Sequence, residues 1–131
     1  MAKRKTKKRP VRPRKPSRTS SRSRKSRRAT SAKLPKDAVT LVVQLRPREG
    51  QETLLEAELR ALVGPTRKED GCLTYDVHRS ADGPNAFLLH EVWASREAQS
   101  RQTNTPHFLR WNARKDSLLA SRDVTFWKQV V

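Results

Sequence analysis

The stretch Gly71–Ser95, GCLTYDVHRSADGPNAFLLHEVWAS, decides the fold of this chain of 131 residues. Two runs rich in β-branched and aromatic residues, Cys72–Arg79 and Ala86–Trp93, flank the polar loop Ser80–Asn85. Strand-forming runs on either side of a cluster of turn residues are typical of a β-hairpin. The sequence therefore predicts two antiparallel strands here, and the rest of the chain must supply the elements that pair with them and cover them.

A strand and a helix are predicted before the hairpin. Asp37–Leu45 holds a run of mostly β-branched apolar residues between two prolines, which is typical of a buried strand. Glu52–Val63 has helical spacing, with Leu55, Leu59 and Leu62 on one side and charged residues opposite. The glycine and proline that follow predict a local stop after residue 63, and Thr66–Glu69 could resume the helix, because proline is tolerated in a first turn.

Two helical pieces and a last strand are predicted after the hairpin. The first piece, Arg96–Gln102, is short and polar. The second runs from Pro106 to about Ala120 and supplies an apolar side to the core. A turn at Ser121–Asp123 then leads into Val124–Val130, where apolar and polar residues alternate as in a strand.

The predicted order β-α-β-β-α-β favours an α+β fold, the ferredoxin-like split βαβ sandwich, with helices on one face of an antiparallel sheet. Both faces of this sheet look apolar. Val42 and Val43 are neighbours in the first strand, as are Leu88 and Leu89 in the third, and neighbours in a strand point to opposite faces. The uncovered face would be buried economically against a second copy of the chain. The sequence therefore predicts a homodimer that packs sheet to sheet.

The positive charge of the chain is confined to its N-terminal segment. The net charge is +17, and residues 1–36 contain 17 Lys and Arg and no acid. Residues 37–131 hold the other 30 − 17 = 13 basic residues against all 13 acidic ones, so they are formally neutral. This division predicts a disordered basic tail at residues 1–36 and a single domain at residues 37–131.

The tail has several readings. It could be a solvated segment that aids solubility, or it could contact nucleic acid or another polyanion weakly by neutralising phosphates. Because it has no aromatic residues to stack on bases, any such contact is expected to be non-specific. Lys7–Lys15 would also pass as a nuclear address in a eukaryote.

The cysteine content and the hydropathy of the sequence indicate the cellular compartment. Cys72 is the one cysteine, so the sequence indicates no internal disulfide and no oxidising environment. No apolar run reaches the roughly 18–20 residues that span a bilayer. The first residues also lack the apolar core of a secretory signal. We therefore expect a cytoplasmic protein with no membrane span.

Three short motifs resemble one known family. In order they are Gly71-Cys72-Leu73-x-Tyr75, Glu91-x-Trp93-x-Ser95 and Thr105-Pro106-His107-Phe108. With a strand and a leucine-rich helix before them, they resemble the antibiotic biosynthesis monooxygenase (ABM) family over about residues 38–131. The resemblance implies a dimeric α+β barrel with a pocket between helices and sheet. It also implies a monooxygenase that oxidises a quinol- or polyphenol-like aromatic substrate with O2 and uses no cofactor.

In the chemistry that the resemblance implies, a base removes a phenolic proton and the electron-rich anion passes an electron to O2. The two radicals recombine to a peroxide, which collapses to a quinone. The protein has to bind the ring, take the proton and exclude water.

Five residues are candidates for this site. His107 is the predicted catalytic base, because the unperturbed pKa of histidine suits proton abstraction near neutrality. Trp93 and Tyr75 could form an aromatic wall, and Phe108 is a further candidate for contact with the substrate. Glu91 shares a sheet face with Trp93 by strand alternation, and a carboxylate there needs a partner such as Arg79, Arg110 or a substrate hydroxyl. Each could instead be an ordinary packing residue, and the face of Tyr75 depends on a hairpin register that the loop does not fix.

Two other functions are weighed against the oxygenase. The haem-degrading branch of the family would place an iron-ligating histidine where this chain has Asn112, and an asparagine where it has Val43. His78 and His90 show no metal-ligand spacing with Cys72, so no metal site is expected. The main alternative is a non-catalytic dimeric α+β module that its basic tail tethers to a polyanion.

Overall fold

The fold is a four-stranded antiparallel sheet with three helices. It is seen in a computed structural model that describes residues 10–11, 13 and 33–131. The elements are β1 Val39–Pro47, α1 Glu52–Arg67, β2 Cys72–Arg79, β3 Phe87–Trp93, α2 Arg96–Gln102, α3 Pro106–Leu118 and β4 Leu119–Trp127. The strand order in the sheet is β2-β3-β1-β4. This architecture confirms the predicted ferredoxin-like α+β fold.

Lys33–Val131 forms one compact unit. The basic tail predicted at residues 1–36 lies outside the described residues, apart from residues 10–11, 13 and 33–36. Its disorder and the domain boundary at residue 37 therefore stay predictions. Within the described residues, no helix is both long and apolar enough to cross a membrane.

The core lies between the helices and one face of the sheet. In β1 the alternate residues Val39, Leu41, Val43 and Leu45 are buried, whereas Gln44 on the opposite face is exposed. The leucines at 55, 59 and 62 of α1 and the indole at 111 of α3 complete the core cluster. Because the spacing of the leucines matches the helical repeat, the apolar side predicted from the sequence is the side that packs on the sheet.

Helix α1 continues past the point where the sequence predicts a stop. It includes Pro65 and ends at Arg67. Thr66 is completely buried, so the additional turn adds contacts with the core. Arg67 donates from Nε to the carbonyl oxygen of Tyr75 at 3.0 Å and pairs through Nη2 with Asp76 at 2.9 Å. These long-range contacts compensate for the backbone hydrogen bond that a proline inside a helix cannot make.

The last strand begins earlier than predicted. No turn forms at Ser121–Asp123, because β4 starts at Leu119 directly after α3 and ends at Trp127 rather than at Val130. The pairing of β4 with β1 runs from the Leu119–Pro47 pair to the Trp127–Thr40 pair. Backbone pairing along almost the whole of β1 outweighs the local turn preference of Ser, Arg and Asp. An edge strand with one solvated face also tolerates such polar residues.

Within residues 33–131, no helix covers the second face of the sheet. An open pocket of about 580 Å³ lies on this face. Its lining includes Val42, Gln44, His78, Leu88 and His90. Val92, on the same strand as Leu88 and His90 and with the same alternation, is already buried within the single chain. The predicted homodimer stays a prediction.

Candidate active site

Three of the predicted site residues lie together on the helix-covered face of the sheet. Tyr75 in β2 is the cross-strand partner of Glu91 in β3, so the register that the loop left open puts Tyr75 on the same face as Glu91. Trp93 follows two residues later on this face. Their side chains are 3%, 4% and 0% exposed in that order. We call Tyr75, Glu91 and Trp93 the buried trio.

Glu91 is a buried carboxyl group with a hydrogen-bond donor beside it. The indole Nε1 of Trp93 donates to Oε1 of Glu91 at 3.0 Å. Burial raises the pKa of Glu91 to about 7, although the hydrogen bond from Trp93 and the positive charge of Arg122 oppose the rise. Near neutral pH the group therefore exists in both protonation states, as a general base requires.

The expected partners of Glu91 were arginines, and Arg79 was one of them. The structure pairs Arg79 with Glu56 of α1 instead. Arg110, the other expected partner, lines the groove between α1 and α3. Among the described residues, the side chain of Glu91 hydrogen-bonds with the indole of Trp93. The reason is geometric: Trp93 lies two residues along the same strand and points to the same side.

The hydroxyl group of Tyr75 is held in its neutral form. Burial raises the pKa of Tyr75 above its ordinary value, and the negative charge of Glu91 adds to this effect. The side chain of Gln102 acts in the opposite direction, because it lies close enough to hydrogen-bond with Tyr75. Tyr75 can therefore donate a hydrogen bond within the site, but it is not a base near neutral pH.

Gln102 is a site residue that the sequence reasoning missed. It is the last residue of α2 and is 2% exposed, and its side chain approaches the hydroxyl group of Tyr75. Ala98, four residues earlier, is buried on the same side of α2. That four-residue spacing was the available signal, but glutamine in a polar helix ordinarily faces solvent.

The position of α2 depends on two residues that flank the hairpin. Ser95 caps the helix, since its Oγ accepts a hydrogen bond from the backbone N–H of Ala98 at 3.1 Å. Gly71 has a φ of +86°, and a Cβ at this position would lie 2.6 Å from the Cβ of Ala98. Glycine therefore permits the close approach of α2 to the start of β2 and brings Gln102 to the site.

His107 lies at the start of α3 and, among the described residues, makes no hydrogen bond to the trio. Its Nε2 is 2.8 Å from Oε2 of Glu69 and 3.2 Å from Oγ1 of Thr105, and these are its recorded hydrogen-bond contacts. The ring also lines a groove of about 300 Å³ between α1 and α3. Its connection to the trio is Glu69, whose negative charge contributes to raising the pKa values of Glu91 and Tyr75.

Two further side chains complete the surroundings. Phe108 is partly buried and packs against the core cluster. Cys72 pairs with Trp93 across the sheet. Burial and the charge of Glu69 raise the pKa of Cys72 to about 11, so its thiol stays protonated near neutral pH and is a poor nucleophile.

The trio is tightly packed. Five concave surfaces of about 300 to 580 Å³ occur on the described residues, and none of these five is lined by Tyr75, Glu91 or Trp93. An aromatic ring could reach the trio only if part of the helix layer moved. Among the described residues, no group of three or more His, Cys, Asp or Glu side chains could hold a metal ion.

Comparison with known proteins places this domain among recognised relatives. A family model described as "Antibiotic biosynthesis monooxygenase" matches residues 38–114, a range that includes the trio, Gln102 and His107. The Mycobacterium tuberculosis protein named "Putative monooxygenase Rv0793" is 38% identical over 81 residues, which cover 62% of this chain and 79% of that protein. The Bacillus subtilis protein named "Putative monooxygenase YcnE" is 29% identical over 79 residues, which cover 60% and 81% of the two chains.

Solved structures show the same fold. The crystal structure of PA3566 from Pseudomonas aeruginosa has a TM-score of 0.70 and 35% identity, and the match covers 72% of this chain and 96% of that one. The structure of Rv0793 gives a TM-score of 0.68 with 35% identity over the same shares. The family match begins at residue 38, beyond the basic tail.

Proposed function

The chain belongs to the antibiotic biosynthesis monooxygenase family, and from this membership we propose that it oxidises a quinol- or polyphenol-like aromatic substrate with O2. The observation that carries the proposal is the buried carboxyl group of Glu91 between an indole and a phenol. Two aromatic side chains suit the faces and edges of a flat ring. A carboxyl group with a pKa of about 7 suits the removal of a phenolic proton.

In the proposed reaction, Glu91 accepts the proton of a substrate hydroxyl group. The resulting phenolate transfers an electron to O2, and the two radicals combine at a ring carbon. One oxygen atom stays on the ring as the quinone forms, and the other leaves as water, so the four electrons that reduce O2 come from the substrate. The proposal calls on no metal, haem or flavin. The protein contributes the base, the orientation of the ring and the exclusion of water.

The earlier prediction that His107 is the base stays a prediction beside Glu91. Glu91 is supported by its contact with Trp93, whereas the ring nitrogen Nε2 of His107 is held by Glu69 and Thr105. Substitutions of Glu91 and of His107 show which of the two residues is the base. If Glu91 is the base, Glu91→Gln lowers kcat by about 100-fold or more, whereas His107→Gln leaves at least a tenth of it.

Oxygen consumption tests the proposal. The full chain is supplied with a panel of hydroquinones, catechols and anthrones in air-saturated buffer, and O2 uptake and quinone absorbance are recorded together. Consumption of one O2 per quinone formed by the wild type is the expected result. No uptake with any of these compounds by a folded wild type would exclude this substrate class, and equal losses of kcat in the two variants would reject Glu91 as the distinct base.

A second candidate function is a non-catalytic dimeric module tethered to a polyanion. Two observations favour it: the close packing of the trio, and the segregation of 17 basic residues in residues 1–36. The two functions differ in one accessible property. A module needs no ring-sized space near Trp93, so anaerobic calorimetry with hydroquinone should show no binding to a module and saturable binding to an enzyme.

We also propose that the chain is a homodimer, with the uncovered face of the sheet as its interface. Support comes from the apolar residues Val42 and Leu88 on that face and from the concave surface that they line. Sedimentation equilibrium is expected to give twice the chain mass of 15.1 kDa. The variant Leu88→Arg should sediment as a monomer, because it buries a charge at the interface.

A further inference from the structure

Two hydrogen bonds determine which nitrogen of His107 carries the proton. Oγ1 of Thr105 donates its one hydrogen to the carbonyl oxygen of Gln102 at 2.7 Å, so it can only accept from Nε2 of His107, which lies 3.2 Å away. The other contact of Nε2 is with Oε2 of Glu69 at 2.8 Å, and a carboxylate also accepts. Nε2 therefore bears the hydrogen, and in the neutral ring Nδ1 keeps a lone pair.

The ring of His107 lies in the wall of the groove of about 300 Å³ between α1 and α3. Arg110 and Trp111 follow it by three and four residues, so the three side chains lie on one side of α3. Trp111 is buried and supplies an apolar surface, whereas Arg110 is exposed. Glu58, the acid in the lining, is paired with Arg114, whereas none of the ion pairs among the described residues involves Arg110. The charge of Arg110 therefore favours an anionic ligand.

Helix α1 forms the opposite wall and contributes a second acceptor. Ala61, Leu62 and Pro65 line the groove there. Because proline has no N–H, Pro65 cannot give the helical hydrogen bond to the carbonyl oxygen of Ala61, four residues earlier. Among the described residues, the ring of His107 makes its hydrogen bonds through Nε2. Two lining residues thus carry an acceptor that lacks its regular donor: the carbonyl oxygen of Ala61 and Nδ1 of His107.

We propose that the groove between α1 and α3 binds a single-ring aromatic acid that bears an amino group. The ring lies against Trp111 and its carboxylate pairs with Arg110. The amino group donates one hydrogen to Nδ1 of His107 and the other to the carbonyl oxygen of Ala61. An amino group suits these acceptors better than a hydroxyl, because it has two hydrogens for two acceptors. A volume of about 300 Å³ admits one ring.

This site is separate from the buried trio, none of whose members lines the groove. Within it, Glu69 and Thr105 are positioning residues, because their contacts with Nε2 fix the tautomer and leave Nδ1 as the acceptor. The inference does not depend on the proposed oxygenase reaction.

Nitrogen NMR of the full chain labelled with ¹⁵N-histidine tests the tautomer, at about pH 8, where histidine is ordinarily neutral. The free protein should show His107 with the proton on Nε2. Saturation with 4-aminobenzoate should shift the Nδ1 signal of this residue and leave the proton on Nε2. The spectrum of His107→Gln assigns the signals. A neutral ring that carries its proton on Nδ1 in the free protein would overturn the inference.

Binding is measured by NMR titration of the full chain with 4-aminobenzoate, benzoate and aniline. The wild type should bind 4-aminobenzoate with a Kd on the order of 1 mM, as suits a ligand of this size. Benzoate and aniline should each bind about 5- to 20-fold more weakly, because each lacks one of the two polar groups.

Two variants remove the two polar contacts one at a time. In His107→Gln the amide can still donate to Glu69 in place of Nε2, but Nδ1 is lost. This variant should bind 4-aminobenzoate about 5- to 20-fold more weakly and benzoate with less than a twofold change or so. Arg110→Gln should weaken both acids by a similar factor and spare aniline. Arg101→Gln, the same change of charge at an exposed position of α2, is the matched control and should leave all three affinities unchanged.

The outcomes that would overturn the site are specific. They are no saturable binding of 4-aminobenzoate to the folded wild type, and equal losses of its affinity in Arg110→Gln and Arg101→Gln. An equal loss of benzoate and 4-aminobenzoate affinity in His107→Gln would also overturn it, since the variant would then disturb the whole groove. Oxygen uptake with hydroquinones enters none of these measurements, so the oxygenase proposal and the groove site can fail separately.

Discussion

Glu91 and His107 illustrate how single residues acquire their chemistry in this fold. Both were candidates from the sequence, and strand alternation correctly put Glu91 on the face of Trp93. Strand alternation could not predict the environment of His107, because its partner Glu69 lies 38 residues away in the sequence. Local periodicity predicts which face a strand residue occupies. It cannot predict a contact that depends on how a loop after α1 meets the start of α3.

The pKa of Glu91 leads to a prediction about stability. The folded-state pKa of about 7 lies above the ordinary value of 4.5, so the folded protein retains a proton that the unfolded chain releases. Between these values stability falls as pH rises, by up to 1.36 kcal/mol per pH unit, or about 3 kcal/mol in total. Urea unfolding of the wild type between pH 4 and 8 should show this loss.

The control for this prediction is Glu91→Gln, which keeps an acceptor for Trp93 and does not titrate. The difference in unfolding free energy between the two proteins should change in favour of the variant as pH rises from 4.5 to 7. If the difference stays constant to within about 0.5 kcal/mol across this range, the carboxyl group is not a buried acid with a raised pKa.

At the scale of elements, the hairpin and α2 depend on Gly71. Its positive φ resembles that of Gly50, which is +81°. The two differ in their surroundings, because a Cβ on Gly50 would have no atom within 4 Å, whereas one on Gly71 would overlap Ala98. A comparison of alanine substitutions at Gly50 and Gly71 therefore distinguishes the cost of backbone strain from that of steric overlap.

Gly50→Ala and Gly71→Ala should each lower the free energy of unfolding by about 1–2 kcal/mol, because alanine is strained in the left-handed backbone conformation. Gly71→Ala should lower it by about 1–3 kcal/mol more, because α2 must move away from β2. Urea unfolding of the two variants measures this difference. Equal destabilisation would mean that α2 adjusts freely and is not held by the contact with Gly71.

The elements also show where sequence patterns cease to decide structure. The hairpin strands and α2 were placed almost residue for residue, because alternation and an N-cap are local signals. The local stop within α1 and the start of β4 were wrong, because the buried Thr66 and the pairing of β4 with β1 decide them. Gln102 was missed for the same reason, since its approach to Tyr75 is decided only when α2 packs on β2.

At the scale of the whole molecule, the charge is divided between two segments of unlike composition. Residues 37–131 are formally neutral, so any attraction to polyanions should come from residues 1–36. Such binding releases counterions and is therefore steeply dependent on salt.

For the full chain, affinity for duplex DNA should fall on the order of 10³-fold between 50 and 200 mM salt, as about six phosphate contacts would give. A variant without residues 1–32 should show no measurable binding over this range. Fluorescence anisotropy with a labelled duplex of arbitrary sequence measures both. Salt-dependent retention of DNA by the shortened chain would show that the domain itself carries the polyanion site.

The direct passage from α3 into β4 has a mechanical consequence. The C-terminal end of α3 is fixed, because the backbone N–H of Arg48 donates to the carbonyl oxygen of Leu118 at 2.8 Å and Nε of Arg48 donates to that of Asp116 at 2.9 Å. The start of α3 is held differently, through the side chain of His107 to Glu69. We expect the entrance for a ring-sized molecule at that start, where α2 meets α3, and the amides there should exchange with deuterium before those at the end of α3.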